Sequence, residues 1–505
     1  MVDLTRRSFI ASAAAIPFWV WLETDALARA QTPLVRYDAW SPQGQKMLKT
    51  YAQAVEKMKS TAEGDPRSWV FQWYTHWVAP KVANLDESDP KQKVEELARI
   101  YPAPSPWRAL AEEMWDTCQA HADPSPPAES FFLPWHRMFV YFFERIIRCV
   151  SGDASFTLPY WDYTVADSAI HGVMPPQFRQ QGDPTFGSLY VENRNPGVND
   201  GNPIQKGQPV DPLNLTSLVE CPYDQQGADP GFCMDLDFTL HGAVHVLVGD
   251  DKNMGHVPWA ARDPIFWMHH CNIDRLWASW NAAGRMNSSL SQTFVFADEN
   301  GKRLVGNVAD FMDIAKLGYA YDRLENVPEC PVPPARILAA AKNQKRVATV
   351  KAASIKLGSD PVKVTLEPLP EREGLAPAPF SAQVASLKEG KRLYLVVKDL
   401  RAEKQPGVLY HVYLELPSGA AGEKLKAHHV GVLNFFHSAG HGAHGHEKPP
   451  QKGAGNFLSF DITDLAKTLH AKKLLSDKPT VTIAPAGQPA ADAKPVIGDI
   501  TLVEQ

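Results

Sequence analysis

The chain has 505 residues, of which 44% are hydrophobic and 21% are charged, and its formal net charge is −6. These values are ordinary for a globular protein of two or three domains. The charge gives no basis for nucleic-acid binding. Beyond the first thirty residues no apolar run is long enough to predict a membrane span.

The first thirty residues have the features of an export signal. The twin arginines of TRRSFI precede an apolar run at residues 10–22, and Ala28 and Ala30 form a small-residue cleavage site. The alternative is an N-terminal anchor helix, for which the run is short. We predict a twin-arginine signal peptide at 1–30 and a periplasmic or secreted protein. That route carries folded proteins, which suits a protein loaded with a cofactor before export.

Three segments with one histidine each come next in the chain, and the first and third are rich in aromatic residues. They are SWVFQWYTHWVAP with His76, TCQAH with His121, and FFLPWHRMFVYFFERI with His136. Their apolar periodicity predicts helices. The region 182–212 is rich in Gly, Pro, Asn and Asp and predicts a long surface loop.

Two further segments add closely spaced histidines. HGAVH places His241 and His245 four residues apart, so both rings share one helix face. DPIFWMHHCNIDRLW contains the adjacent pair His269 and His270. Adjacent helical residues point about 100° apart, so only one of this pair is expected to face a shared partner.

The histidines have two interpretations. A single buried histidine is more often a hydrogen-bonded core residue than a ligand. Six on apolar helices favour a metal, and imidazoles without carboxylates or thiolates suit copper or zinc. Three ligands per metal would make two sites or one dinuclear site.

Six cysteines are present. Cys221 and Cys233 close the short loop CPYDQQGADPGFC and are the predicted disulfide, with two free thiols as the alternative. No CxxC pair occurs, which argues against a cysteine-rich zinc site.

The chain divides near residue 330. NVPECPVPPAR is proline-dense and predicts a linker at 331–345 after a mainly helical domain at 31–330. Short alternating runs follow and predict an all-β, sandwich-like domain at 346–505. They are ATVKAASIKL, VKVTLEPL, RLYLVVKDL, VLYHVYLEL, VGVLNFF, FLSFDIT and PTVTIAP.

The segments FFLPWHRMFVYFFERI, LPYWDY, HGAVHVLVG and DPIFWMHHCNIDRLW resemble the tyrosinase and polyphenol oxidase family of type-3 dicopper proteins. The resemblance spans roughly residues 69–280. It implies a mainly α domain in which a four-helix bundle holds two copper ions, with O2 as co-substrate and small phenols as substrates. The implied ligands are His76, His121 and His136 for the first copper, and His241, His245 and His270 for the second.

The resemblance also assigns the neighbours of His270. In the family the second histidine of the pair is the ligand, and an aromatic residue four positions earlier, here Phe266, stands over the site. His269 is then expected to point elsewhere and to hydrogen-bond in support. Asp274 either orients a ligand ring or is a solvent-facing or helix-bonding carboxylate. Trp73, Trp135 and Phe139 are expected to exclude water.

The chain departs from the family around His121. His121 and His136 are 15 positions apart, where the common spacing is nearer nine, so ADPSPPAES is interpreted as a longer surface excursion. Some relatives cross-link a cysteine to this histidine, often with one residue between them. Here Cys118 lies three residues before His121, and a buried free thiol is expected.

The substrate pocket departs as well. Gly242 follows the first ligand of the second copper, where hydroxylating relatives often carry an asparagine whose amide helps to hold a water. Asp237 stands where a glutamate is common and is a candidate water anchor, or alternatively a helix N-cap. Val246 is expected to form an apolar pocket wall.

The C-terminal part resembles, more loosely, the C-terminal domain of plant polyphenol oxidases in YHVYLELP and HHVGVLNFFHSAGHGAHGHEK. In such relatives this domain covers the copper site until it is removed or displaced. The loop histidines either collect copper or lie in a solvated loop; they are His437, His441, His444 and His446.

The expected activity is oxidation of o-diphenols to o-quinones by O2, with weaker or lagging hydroxylation of monophenols. Alternatives are an o-aminophenol oxidase of the same family, a hemocyanin-like oxygen carrier, and an extracellular binding protein in which the histidines hold no metal. The oligomeric state, including a homo-oligomer, stays open.

Overall fold

The computed structural model describes residues 33–76, 98–118, 131–250, 252–330, 334–352, 354–370, 375–438 and 457–505. The predicted signal peptide, His121 and the loop histidines His441, His444 and His446 lie outside these ranges. Within them, no helix is both long enough and apolar enough to span a membrane.

The described residues between 33 and 330 form a mainly helical domain, as predicted. Its helices are α1 (Pro42–Ser60), α2 (Trp69–Tyr74), α3 (Arg108–Cys118), α4 (Phe132–Ser151), α5 (Gly231–Leu236), α6 (Gly242–Val248), α7 (Val257–Ala260) and α8 (Ile265–Ala282). Strands β1 (Leu34–Arg36) and β4 (Tyr319–Tyr321) pair in parallel, and β2 (Thr293–Ala297) pairs with β3 (Arg303–Asn307) in an antiparallel hairpin.

Helices α4 and α8 form the centre of this domain. Most residues of both helices are buried, including charged ones such as Arg137 and Arg275, so each helix packs against the rest of the domain around most of its circumference. Helix α4 ends at Gly152, whose φ of 75° is left-handed and whose N–H donates to the Arg148 carbonyl. Aromatic stacking joins the two helices, with Phe143 and Trp267 ring centroids 3.5 Å apart.

Asp274 belongs to a buried ionic network, which corrects both interpretations of this residue. Its carboxylate accepts hydrogen bonds from Arg36 and Arg137 at 3.1 and 2.5 Å and from the hydroxyls of Tyr319 and Tyr321, each at 2.6 Å. Burial alone would raise the pKa of Asp274, but the two guanidinium groups hold it below its ordinary value. Asp274 therefore fixes α8 against α4 and β4 and neither orients a ligand ring nor faces solvent.

The segment 182–212 is mostly irregular, as expected, but it is not only a surface loop. Arg194 within it is buried and donates to both carboxylate oxygens of Asp263, at 2.8 and 2.7 Å. Asp263 in turn accepts from the Ile265 N–H at the start of α8. The loop therefore helps to fix the beginning of that helix, a long-range contact that local composition does not encode.

The predicted disulfide between Cys221 and Cys233 is wrong. Cys221 is joined to Cys330, 109 residues away, with a Cα–Cα distance of 5.8 Å. Cys233 lies on α5 and is a buried thiol in the helical core. The bridge ties the end of the helical domain back to its own body.

The β-rich domain contains two larger antiparallel sheets and the antiparallel pair of strands 496–497 and 355–356, which confirms the predicted sandwich-like class. The four-stranded sheet has the order β11–β10–β13–β7 and the five-stranded sheet β12–β9–β15–β5–β8. The strands are β5 (Lys345–Thr349), β6 (Ile355–Lys356), β7 (Val362–Thr365), β8 (Glu367–Pro368), β9 (Leu393–Lys398), β10 (Tyr410–Leu414), β11 (His429–Leu433), β12 (Phe457–Asp461), β13 (Thr480–Pro485), β14 (Val496–Ile497) and β15 (Asp499–Glu504).

The region 334–505 also contains four short helices, so it is not purely β. They are α9 (Pro334–Ala341), α10 (Phe380–Ala385), α11 (Glu423–Lys426) and α12 (Thr463–Ala471). Helix α9 falls inside the segment interpreted as a linker. The central strand β15 was also not predicted, although it pairs along its whole length with β9.

The β-rich domain packs directly on the helical domain. Gln505 accepts from the Ala228 N–H at 2.7 Å and donates to the Gln226 carbonyl at 2.8 Å. Ser459 donates to the Ala228 carbonyl at 2.6 Å. Phe436 of the β-rich domain is part of the helical domain's hydrophobic core.

A histidine pair joins the same two domains. Nε2 of His411 on β10 lies 2.9 Å from the side-chain Oε1 of Gln208, and its Nδ1 lies 3.0 Å from Nε2 of His429. Because an amide oxygen only accepts, His411 Nε2 donates to Gln208 and Nδ1 accepts from His429 Nε2. His411 is therefore neutral in this arrangement.

We expect acid to destabilise the protein through this pair. Burial, with a smaller contribution from His429, lowers the pKa of His411 to about 3, and burial lowers the pKa of His429 to about 4. Below about pH 6.5 the unfolded chain therefore binds protons at these histidines, whereas the folded chain does not. The free energy of unfolding consequently falls as the pH drops from 6.5 towards 4. Between pH 7 and 5 the loss should be about 2 kcal/mol for each histidine, or about 4 kcal/mol for the pair, measured by urea unfolding.

The double variant His411→Gln/His429→Gln is the comparison. It cannot take up these protons, so its unfolding free energy should depend less steeply on pH. Parallel curves for the two proteins would contradict the assignment.

Candidate metal centre

His241 and His245 lie on one continuous helical stretch. Helix α5 runs through a π-helical segment, Asp237–His241, directly into α6. The ring centroids of His241 and His245 are 4.5 Å apart, so the prediction that HGAVH places both rings on one helix face is confirmed. Because the stretch begins at Gly231, Asp237 lies inside it, and the N-cap interpretation of Asp237 is wrong.

Backbone carbonyls fix the orientation of three rings. Nδ1 of His136 lies 2.9 Å from the Phe132 carbonyl, Nδ1 of His241 3.1 Å from the Asp237 carbonyl, and Nδ1 of His245 2.7 Å from the Met254 carbonyl. A carbonyl only accepts, so each Nδ1 carries the proton and each Nε2 keeps its lone pair. That is the tautomer of a neutral ligand that binds metal through Nε2.

His136 and His270 join the two halves of the cluster. Their rings stack with centroids 4.0 Å apart, and His241 lies 5.0 Å from His270. His76 lies in the turn directly after α2, not within a helix as expected, and its ring is 5.5 Å from that of His136. The five described histidines assigned as ligands are therefore brought together from α2, α4, the α5–α6 stretch and α8.

The expectation that His269 points away from the cluster is wrong. Its ring stacks on His241 at 5.3 Å and lies 4.8 Å from His245. A ligand atom from each of His241, His245, His269 and His270 lies within 4.8 Å of the others. His241 and His245 therefore contact both members of the pair.

The two neighbours nevertheless have different surroundings. His270 contacts His136 and Phe266, whereas His269 contacts Tyr163, with ring centroids 5.5 Å apart. Of the pair, His270 is therefore the one that lies between His136 on one side and His241 and His245 on the other.

Aromatic residues enclose the cluster. Phe266 lies one turn before His270, with ring centroids 4.2 Å apart, and also contacts His76 and His245 at 5.2 and 6.0 Å. Trp135 and Phe139 contact His76 at 5.1 and 5.5 Å. Trp73 packs against Trp259, with ring centroids 5.4 Å apart.

A cavity of ≈ 20 Å³ remains between these residues, which is room for about one water molecule. Within the described ranges it is lined by His76, Phe132, His136, Asp237, His241, His245, Val257, Phe266, His270, Phe436 and His437. Val246, the expected pocket wall, is buried but is not among these lining residues, and Val257 stands there instead. Phe132, Phe436 and His437 were not predicted as part of the site.

Asp237 lies between two histidines from different domains. Its Oδ1 is 2.9 Å from Nδ1 of His241 and 2.9 Å from Nε2 of His437. Burial alone would raise the pKa of Asp237, but the charge of His437 and hydrogen bonds from both rings hold it below its ordinary value. The carboxylate is therefore ionised and engaged by the β-rich domain.

The donor set fits copper. Burial first, and neighbouring rings second, lower the pKa of His245 and His270 well below 6.5, so both are neutral ligands at neutral pH. Among the described residues, neither nitrogen of His270 nor Nε2 of His245 has a hydrogen-bond partner, although all three atoms are buried. Buried polar atoms of this kind are normally satisfied, and a metal ion would satisfy them.

The surroundings of the remaining predicted ligand are only partly described. His121 lies outside the described residues. Cys118, three residues before it, is buried at the end of α3, and burial raises the pKa of its thiol well above the ordinary value. A thiol with a raised pKa is a weak nucleophile.

The family models match both domains. Residues 104–207 and 215–283 match the common central domain of tyrosinase, and residues 346–505 match a domain of unknown function. Tyrosinase HcTyr1 of Hahella sp. (strain CCB-MM4) is 29% identical over 487 residues, covering 90% of this chain and 96% of that protein. Polyphenol oxidase A1 of Vicia faba is 25% identical over 484 residues, covering 87% of this chain and 72% of the relative.

Solved structures agree on the fold. Latent apple tyrosinase superposes with a TM-score of 0.56 at 22% identity, over 94% of this chain and 97% of that one. A latent aurone synthase gives a TM-score of 0.58 at 20% identity, over 94% and 89% of the two chains. The chain belongs to the type-3 copper family of tyrosinases and polyphenol oxidases.

Proposed function

We propose that the protein oxidises o-diphenols to o-quinones with O2, using two copper ions, and hydroxylates monophenols only weakly. The observation that carries this proposal is the set of buried, neutral histidines around one cavity, three of them held by carbonyls with Nε2 available. His76, His121 and His136 would hold one ion, and His241, His245 and His270 the other. Copper bound there would supply reversible electron transfer between phenol and O2.

The chain's own residues would position the substrate. Phe266 lies beside the His270 ring and would pack on the phenol ring. Trp135 and Phe139 cover the His76 side and would keep bulk water away. Asp237 is ionised and would anchor a water close to His241 once His437 has moved away.

We propose that the β-rich domain shields this site. The Phe436 ring stacks on that of His245, with centroids 4.1 Å and planes 14° apart, and lies 5.6 Å from that of His241. The remaining ≈ 20 Å³ cannot hold a phenol ring beside Phe436. Two relatives with similar folds are described as latent, which agrees with a shield that must move before turnover.

The domain limits and the cellular location are parts of the same proposal. A signal peptide at 1–30 would be followed by the dicopper domain to residue 330, a linker at 331–345 and the shielding domain at 346–505. The twin arginines favour export in the folded state. Analysis of the mature N-terminus would test cleavage before Gln31.

We expect catechols to be oxidised much faster than matching monophenols. A free phenol has a pKa of about 10, so a monophenol must lose a proton before it binds as phenolate. Gly242 provides no amide to orient a water for that step. Oxygen uptake by the copper-loaded protein on both substrates measures the ratio, and a lag is expected with the monophenol.

Gly242→Asn should raise the ratio of monophenol to diphenol rates, and it is best assayed together with Phe436→Ala so that the site is open. Equal rates of the unchanged protein on both substrates would contradict the argument from Gly242. No oxygen uptake on either substrate by the opened, copper-replete protein would contradict the proposed function itself.

A further inference from the structure

Gly242 lies inside the helical stretch that carries His241 and His245, where the backbone conformation does not require a glycine. Gly242 directly follows His241 and has φ −62° and ψ −34°, which is ordinary right-handed helix. Any residue adopts these angles, and glycine inside a helix is less stable than alanine. The local conformation therefore gives no reason for glycine at this position.

The reason lies in the other domain. A Cβ atom on residue 242 would stand 2.6 Å from Oδ1, 2.7 Å from Nδ2 and 2.9 Å from Cγ of Asn434. All three distances are shorter than a nonbonded carbon contact allows. The Asn434 carboxamide therefore fills the space that any side chain at position 242 would occupy.

Asn434 is held in place from both domains. Its Nδ2 donates to the Phe238 carbonyl of the helical domain at 2.7 Å, and its Oδ1 accepts from the Phe436 N–H at 3.2 Å. The Gln405 side chain donates to the carbonyls of Phe435 and Phe436, each at 3.0 Å. Asn434 is buried, so it cannot swing into solvent while the domains are docked.

We propose that the absence of a side chain at Gly242 leaves the space that Asn434 occupies when the two domains dock, and that this contact positions Phe436 over the histidines. The residue after His241 then decides whether the β-rich domain can close, in addition to any effect on the substrate. The inference rests on the proposed shielding function, because it describes how the shield is seated. Asn434 is a positioning residue: it acts through Phe436 and through the fit against Gly242.

The test compares single and double variants of the full-length protein. Gly242→Ala should raise hydrogen–deuterium exchange in residues 429–438 of the metal-free protein by about tenfold, because overpacking a fitted contact weakens it by about that factor. Asn434→Ala should also raise exchange there. Gly242→Ala added to Asn434→Ala should change it little further, because the clashing carboxamide is gone.

Gly358→Ala is the matched control. A Cβ on Gly358 meets nothing within 4 Å, so exchange in residues 429–438 should stay at the level of the unchanged protein. Oxidation of a bulky catechol by the copper-loaded proteins is the second readout, and Gly242→Ala should raise it in the full-length chain.

Two outcomes would overturn the inference. One is unchanged exchange in Gly242→Ala, and the other is an equal effect of Gly242→Ala with and without the Asn434 side chain. If Gly242→Ala does not fold, the double variant decides: recovery of folding supports the contact, and failure to recover contradicts it. A Phe436→Ala protein that is no faster on bulky catechols would instead defeat the shielding proposal, independently of the exchange results.

Discussion

Phe436→Ala is expected to raise the initial rate of the full-length, copper-loaded protein on a bulky catechol by about a hundredfold. Phe436 stacks on His245 and fills the space beside the cavity. Removing a buried phenylalanine side chain costs about 3 kcal/mol of packing, and about 1.4 kcal/mol corresponds to a factor of ten. The equilibrium between the docked and the undocked β-rich domain should shift towards the undocked state by about a hundredfold. The variant also leaves open space where a phenol ring can enter.

Phe380→Ala is the matched control. Phe380 is equally buried, but it lies on α10 in the core of the β-rich domain, away from the histidines. It should weaken that domain without opening the site directly. Similar activation by both variants would mean that general destabilisation, not the position of Phe436, releases the shield. No activation by Phe436→Ala at full copper loading would contradict the shield.

His270→Ala is expected to lower bound copper from about two ions to about one per chain and to abolish oxidation, because one histidine is a third of a trigonal donor set. His269→Ala is expected to keep about two ions. His270 lies between His136 and the second group of rings, whereas His269 stacks on His241 and contacts Tyr163. Metal analysis of both proteins after dialysis gives the copper content.

The two variants control for each other, because each removes one fully buried imidazole from α8. Equal copper loss from both, or a loss confined to His269→Ala, would contradict the assignment of His270. The latter result would place the second ion among His241, His245 and His269.

Local periodicity accounts for what the sequence predicted well. The spacing of His241 and His245, and that of Phe266 and His270, fixes a helix face whatever the surroundings are. The alternating runs likewise predicted most strands of the β-rich domain. Position within a helix is a short-range property, so it survives in the linear sequence.

Contacts between segments that are distant in the sequence could not be predicted from local periodicity. Cys221 pairs with Cys330 because the end of the helical domain returns to it, whereas the spacing to Cys233 suggested a shorter loop. His269 faces the cluster because it packs against His241 and His245 from a different helix. Phe436 ends the strand-like run VGVLNFF, but the strand stops at Leu433, and Asn434 and Phe436 beyond it contact the helical domain.

The partner of Gly242 lay beyond sequence reasoning for the same reason. In the sequence, the position of Gly242 directly after His241 suggested only an effect on the substrate. The reciprocal fit with Asn434 exists only where the two domains meet.

Anomalous diffraction at the copper edge, from crystals of the copper-loaded protein, tests the dicopper assignment most directly. We predict two peaks, one beside His76 and His136 and one beside His241, His245 and His270, with none between Asp237 and His437. A single peak among His241, His245, His269 and His270 would contradict the account, because those four rings would then hold one ion by themselves.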